Sequence, residues 1–163
     1  MSPDASNELT IVRVLNAAPE QVWRACRDPE ALKHWWGMPE GAVMPYCEVD
    51  FRVGGTLHFG TRRGERPMIW FKCHYREIVE GERLVLEQHR SDEHGNERDS
   101  LEWPPFTVTL RLEDLGGKTK LTVVHAGMDS PRATIDDYRQ GWSETLDRLA
   151  DCLAHRKAQT STR

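Results

Sequence analysis

The sequence predicts an α+β fold, a curved antiparallel sheet wrapped around a long C-terminal helix, with two short helices after the first strand. Two landmarks frame it: Trp35-Trp36-Gly37 after a short amphipathic segment, and Gly141-Trp142 at the opening of the last helical pattern. Between them runs a string of β-type segments, broken by Gly-Gly at 54–55 and again at 116–117. Helical ends around a long antiparallel middle imply a shell, and such a shell commonly leaves an internal cavity.

Each element has its own signal. Residues 8–16 are apolar and β-branched, a first strand. Pro19 then falls near the first turn of a helix, where its missing N–H costs nothing. Val22, Trp23 and Cys26 form a short apolar stripe before Asp28-Pro29 interrupts it. A second short helix, about 29–35, carries Leu32 and Trp35 inward. A loop at 38–41 leads to a strand over 46–52, and Gly54-Gly55 marks a bend into a third over 56–62. Turns at 63–66 and 80–83 bound strands at 68–79 and 84–90. The polar stretch 91–102 reads as a mobile loop. Strands at 105–113 and 119–126 flank Gly116-Gly117. Pro131 opens the final helix, about 132–155, whose stripe Trp142, Leu146, Leu149, Leu153 recurs at helical spacing. Residues 8–155 are expected as one domain, with flexible tails at 1–7 and 156–163.

Composition narrows the function classes. A chain of 163 residues with net charge −4 carries no concentrated basic face, which argues against nucleic acid as a partner. No run of 18 apolar residues exists, so no membrane span is expected. The N-terminus lacks a basic start and an apolar core, so no secretory leader is expected either. Cys26, Cys47, Cys73 and Cys152 stand singly, without C-x-x-C spacing. They read as reduced, mostly buried thiols of a cytoplasmic protein.

Several words, in order, resemble the START-like (SRPBCC) superfamily and its helix-grip fold: Ala18-Pro-x-x-x-Val-Trp23, Trp35-Trp36-Gly37, Asp50-Phe-Arg-x-Gly-Gly55, Leu84-Val-Leu86 and Gly141-Trp142-x-x-x-Leu146-x-x-Leu149. Within it the chain looks like the AHSA-like branch, related to the C-terminal domain of the activator of the ninety-kilodalton heat-shock chaperone's ATPase. The resemblance covers about residues 8 to 155. It implies a cavity between sheet and last helix that holds hydrophobic small molecules in many relatives. It brings no shared catalytic residue set, and neither a cofactor nor a metal is expected.

Strand alternation sorts the faces. A tight hairpin at 80–83 places Arg76 opposite Glu87 and His74 opposite His89, with Trp70 and Lys72 on the same solvent-facing side. The opposite face carries Ile69, Phe71, Cys73, Tyr75 and Val79 against Leu84, Leu86 and Gln88, and points toward the last helix. Through Gly116-Gly117, Val108, Leu110 and Leu112 lie opposite His125, Val123 and Leu121, which puts His125 inward.

The candidate ligand-binding residues are Trp35, Trp36, Phe71, Cys73, Tyr75, Gln88, Arg90, Phe106, Val108, His125, Trp142 and Leu146. Trp103 joins their aromatic set, and for all of these aromatics plain core packing is the competing reading. Tyr75 and Gln88 either orient a ligand or hydrogen-bond each other. His125 either exchanges a proton with a ligand or is a core histidine held by a backbone carbonyl or Tyr75. Arg90, if it turns inward, favours a carboxylate or phosphate. His58, His74 and His89 have the composition of a metal site, but they read as surface histidines because Arg76 claims the one carboxylate, Glu87, available to orient them. Asp50 and Arg52 read as structural at a strand end.

Three functions compete. The first is a cytoplasmic binding protein for a hydrophobic or amphipathic small molecule. The second is a stress-linked co-chaperone, although the eukaryotic activator has an additional N-terminal domain for which this chain has no room. The third is a cavity enzyme, cyclase- or hydrolase-like, which needs His125, Tyr75 and Asp50 in one pocket. No nucleophile–base–orienter set is readable, so no catalytic residue is assigned. An edge strand and outward Trp70 permit a homodimer without requiring one.

Overall fold

A computed structural model of the chain describes residues 7–161, with side chains through Arg156. Strand β1 (Glu8–Leu15) is followed by helices α1 (Pro19–Arg27) and α2 (Pro29–Trp35). Strands β2 (Ala42–Val49), β3 (Thr56–Arg63), β4 (Ile69–Val79), β5 (Arg83–Ser91), β6 (Phe106–Asp114) and β7 (Thr119–Ala126) then lead to helix α3 (Ile135–Ser161). All neighbouring strands pair antiparallel in one seven-stranded sheet of order β1-β7-β6-β5-β4-β3-β2. The meander β2 to β7 closes on β1, and α3 packs across the inner face: this is the helix-grip fold.

Local chemistry starts the helices where they start. In α1, Pro19 occupies the first turn and Gln21 Oε1 accepts from Ala18 N at 2.9 Å. Asp28 then caps α2, accepting from Glu30 N at 3.0 Å, and is itself paired with Arg156 of α3. For α3 the cap is Thr134. Its Oγ1 accepts from Asp137 N at 3.2 Å, while Asp137 Oδ2 accepts from Thr134 N at 2.7 Å. That reciprocal cap sets the first turn three residues later than Pro131 suggests. At the far end the helix runs through Ser161, beyond the expected tail boundary. Residues 1–6 and 162–163, expected as tails, lie outside the described residues.

β2 begins earlier than expected, because an edge strand can take Pro45 inside it, and it ends earlier, at Val49. Its register shifts between Val43 and Tyr46, and edge strands tolerate a proline at such a bulge. The polar stretch after β5 also departs from expectation. It is folded rather than loose: Asp92 Oδ1 accepts from His94 N and Asn96 N, both at 2.9 Å, and Arg98 N donates to Arg90 O at 2.7 Å.

The β6–β7 register is the expected one, with Val108 opposite His125 and Leu110 opposite Val123. In β4–β5 the pairing is slipped: His74 lies opposite Glu87, and Lys72 opposite His89. A bulge at Arg76 takes up the difference. Away from it the slip is two residues, so Cys73, Tyr75, Leu86 and Gln88 keep the inward face and are buried. Past the bulge the parity changes, and Ile78 rather than Val79 packs on the core. Ile69, expected inward, is exposed at the strand end.

Candidate functional site

The inner face and α3 leave a cavity of about 300 Å³ near the N-terminal half of α3. β5, β6 and β7 supply Gln88, Phe106, Val108 and His125 to its wall. α3 supplies Tyr138, Gly141, Trp142 and Thr145, and the turn after α2 supplies Trp36 and Met38. Trp36 meets Trp142 edge-to-face at 6.1 Å, and Phe106 stacks on His125 at 4.3 Å. The wall is therefore mostly aromatic.

His125 is its polar centre, 3% exposed. Trp142 Nε1 donates to His125 Nδ1 at 3.0 Å, which places the neutral ring's proton on Nε2. That Nε2 is buried without a partner, and so is the indole Nε1 of Trp36. Burial pushes the His125 pKa down from 6.5 to about 4. The partner is thus Trp142, neither a backbone carbonyl nor Tyr75.

A smaller cavity of about 170 Å³ shares Gln88, Phe106 and Tyr138 with the first and extends to Phe71, Arg90 and Trp103. The Arg90 guanidinium lies 5.3 Å from the Phe71 ring and 5.3 Å from that of Trp103. It is half-buried, and burial lowers its pKa, against the opposing field of Glu102. No carboxylate within ion-pair distance holds it among the described residues.

The expected set therefore divides. Trp36, Gln88, Phe106, Val108, His125 and Trp142 line the first cavity, and Phe71 and Arg90 join through the second. Trp35, Cys73, Tyr75 and Leu146 are core residues that line neither. Trp35 Nε1 donates to Ala25 O at 3.0 Å, which ties α2 to α1. The Cys73 thiol donates to Gln88 Oε1 at 3.3 Å, the role expected of Tyr75, whose ring instead packs edge-on against Phe51 at 5.1 Å. Asp50 pairs with Arg52 at the surface. Tyr75 and Asp50 therefore do not meet His125 in either of these cavities. Tyr138, Thr145 and Gly141 are lining residues that the sequence reading missed. Tyr138, Gly141 and Thr145 recur at helical spacing with Trp142 between them, which is the signal that could have found them.

On the outer face, His74 and His89 come together, with ring centroids at 5.3 Å. His58 does not join them: its Nε2 lies 3.1 Å from Asp92 O and its ring packs on Trp70. His89 is buried rather than surface, covered by the folded 92–104 segment.

The four cysteines are free, and burial raises the pKa of Cys26 to about 12. No helix among the described residues is long and apolar enough to cross a membrane.

Comparison with known proteins follows the fold. A crystal structure of a Chromobacterium violaceum protein is 30% identical, with TM-score 0.74, over 90% of this chain and 96% of that one. One from Nitrosomonas europaea is 22% identical, with TM-score 0.78, over 95% and 99%. The solution structure of an AHSA1-like protein from Aeromonas hydrophila is 16% identical, with TM-score 0.73, over 92% and 94%. No curated protein sequence matches significantly. The family profile described as "Activator of Hsp90 ATPase homolog 1-like protein" matches residues 16–154. With most of the chain inside that match and the helix-grip architecture in place, it belongs to this AHSA-like branch of the START-like superfamily.

Proposed function

We propose that the chain is a cytoplasmic binding protein for an amphipathic small molecule, its apolar body in the aromatic cavity and an acidic group at Arg90. The observation that carries this reading is the pair of buried N–H groups without acceptors, His125 Nε2 and Trp36 Nε1, on residues lining the cavity. Buried donors left unpaired cost on the order of 1–3 kcal/mol each, and a ligand oxygen would satisfy them. Arg90 adds a planar cation held between two rings, a group suited to a carboxylate or phosphate. Trp36, Phe106, Val108 and Trp142 supply the apolar contact, while Gln88 borders both cavities.

The test is a thermal-shift panel of aromatic and medium-chain carboxylates, each beside the alcohol of the same skeleton, with native mass spectra of protein from a rich medium. The carboxylates should raise Tm more than their alcohols, and Arg90→Ala should erase that difference. His125→Phe should weaken both classes. A bare polypeptide mass with no Tm shift across the panel would refute the reading. The chaperone that gives the family its name would then be tried in a pull-down.

A further inference from the structure

We infer that the outer face carries a divalent-cation site of zinc type, built from His74 and His89 of the sheet with Glu97 and Asp99 of the segment after β5. Its ligands line no part of the larger cavity, though His89 also borders the smaller one at Arg90, and the site does not depend on what the larger cavity holds.

The geometry comes first. His74, His89 and Glu97 each bring a ligand atom into a group in which all lie within 4.8 Å of one another. His74 Nε2 is 2.5 Å from Glu97 Oε1, and His89 Nδ1 is 3.7 Å from Glu97 Oε2. Asp99 Oδ2 approaches the same His89 Nδ1 at 2.6 Å. Ligand atoms around tetrahedral zinc, with bonds of about 2.0–2.1 Å, stand about 3.3 Å apart. The spacings among His74, His89 and Glu97, 2.5 and 3.7 Å, straddle that value, so small side-chain rotations centre an ion among these three, and Asp99 reaches it from the His89 side. Two imidazoles with two carboxylates suit zinc, cobalt or nickel better than magnesium or calcium.

The surroundings supply what isolated ligands lack. His89 is only 8% exposed, and its second nitrogen, Nε2, donates to Glu87 Oε1 at 2.7 Å. That same oxygen accepts from Arg76 at 2.9 Å, so the guanidinium holds the carboxylate in place for the histidine rather than taking it away. A carboxylate on the far nitrogen fixes the ring's orientation and leaves Nδ1 for a metal. Three carboxylates, those of Glu87, Glu97 and Asp99, gather here beside the guanidinium of Arg76. Lys72, the strand partner of His89, donates to Gly95 O, and its charge reaches Glu97. A bound cation takes the place of the protons on His74 Nε2 and His89 Nδ1.

The backbone places the two loop ligands. Ser91 pairs with Glu97 in an isolated antiparallel bridge, and the turn around Asp92 sets the distance back to the sheet. The same segment runs on to Trp103, which covers Arg90. Metal binding would therefore fasten the segment that roofs the Arg90 cavity.

The test uses the full chain, stripped with a chelator, desalted and titrated with Zn²⁺ alone in a calorimeter, with Co²⁺ as a spectroscopic substitute. One equivalent should bind in the low-micromolar range or tighter. The Co²⁺ spectrum should show d–d bands without a thiolate charge-transfer band. Excess Zn²⁺ should raise Tm by roughly 5 °C. His74→Ala and Glu97→Gln should each weaken binding at least about tenfold, and Glu87→Gln, a positioning residue, about 10- to 100-fold. Glu97 lies exposed in a loop, so Glu97→Gln should keep the wild-type circular dichroism spectrum and gives a clean variant. No binding at 100 micromolar Zn²⁺ (roughly the weak limit for a specific site), a thiolate band, or binding undiminished in both His74→Ala and Glu97→Gln would overturn the site.

Discussion

Burial holds the His125 imidazole near a pKa of about 4 in the folded chain, against 6.5 when solvated. Tyr138 and Asp137 are the titratable groups of α3 that share its cavity, and Asp137 is occupied in the helix cap. Above pH 6.5 both folded and unfolded states hold the ring neutral, and its contribution to stability is intact. As pH falls from 6.5 toward 4 the unfolded chain takes up a proton that the folded chain refuses. Stability should drop across that window by about 3 kcal/mol in all, and then level off. Urea melts of wild type and His125→Phe at pH 7 and pH 4.5 check this: the variant should lose less stability between the two than wild type does. An equal loss in both would mean other groups carry the acid sensitivity. At this scale the sequence read some residues well and others not. His125 was placed because the β6–β7 hairpin had two firm ends, Gly116-Gly117 and an unbroken apolar alternation. Alternation gives Tyr75 the inward face correctly but does not show how far along the strand the cavities extend, and Tyr75 lies beyond the two at α3 and Arg90. The burial of His89 is illegible for a related reason: nothing in the alternation shows that a later loop covers an outward face.

Elements are held by a few backbone constraints that sequence reveals unevenly. Gly54-Gly55 shows the legible kind. Gly54 has φ +85°, and a Cβ on Gly55 would stand 2.1 Å from Asp50 O. The close approach lets Tyr75 N donate to Gly55 O at 3.1 Å, and Gly54 N to Tyr75 O at 3.0 Å, which ties the bend to β4. Gly55→Ala should cost ~2–3 kcal/mol by forcing that backbone apart, measured by chemical denaturation. Retained stability would show that the bend yields more easily than its contacts imply. The Thr134 cap shows the less legible kind, since Pro131 gave the stronger signal three residues earlier. Thr134→Ala removes the acceptor for Asp137 N and should lower stability by about 1 kcal/mol, with the loss confined to the first turn of α3 in hydrogen exchange. The bulge at Arg76 left no mark in the sequence at all. A charged residue on a solvent face looks the same whether paired or extra, so alternation alone gives a β4–β5 register two residues off before the bulge, with the faces right there, and reverses Ile78 and Val79 beyond it.

The molecule as a whole wraps seven strands around one helix, and most of the enclosed space is filled: Leu146, Leu149 and Trp35 are essentially inaccessible. One gap lies along the first third of α3, where Gly141 occupies a helix interior at the cavity wall. Glycine there is unfavourable by about 1 kcal/mol relative to alanine. No side chain stands where a Cβ would go, for nothing lies within 4 Å of that position. A residue that weakens its helix and leaves room beside a cavity suits an opening better than a packed core. Gly141→Ala should therefore stabilise the protein by roughly 0.5–1 kcal/mol. Gly141→Leu should keep the fold, with Tm at or above wild type, yet reduce binding of the carboxylate panel at least about tenfold by narrowing the entrance. The pair of measurements separates two meanings of the cavity. If the leucine variant is stable and still binds, ligands do not pass Gly141, and the route must lie on the Arg90 side beneath Trp103. If it is destabilised, the gap is already shaped by close packing that the alanine variant would also disturb. A stable variant that no longer binds would mean that the space beside α3 is the way in.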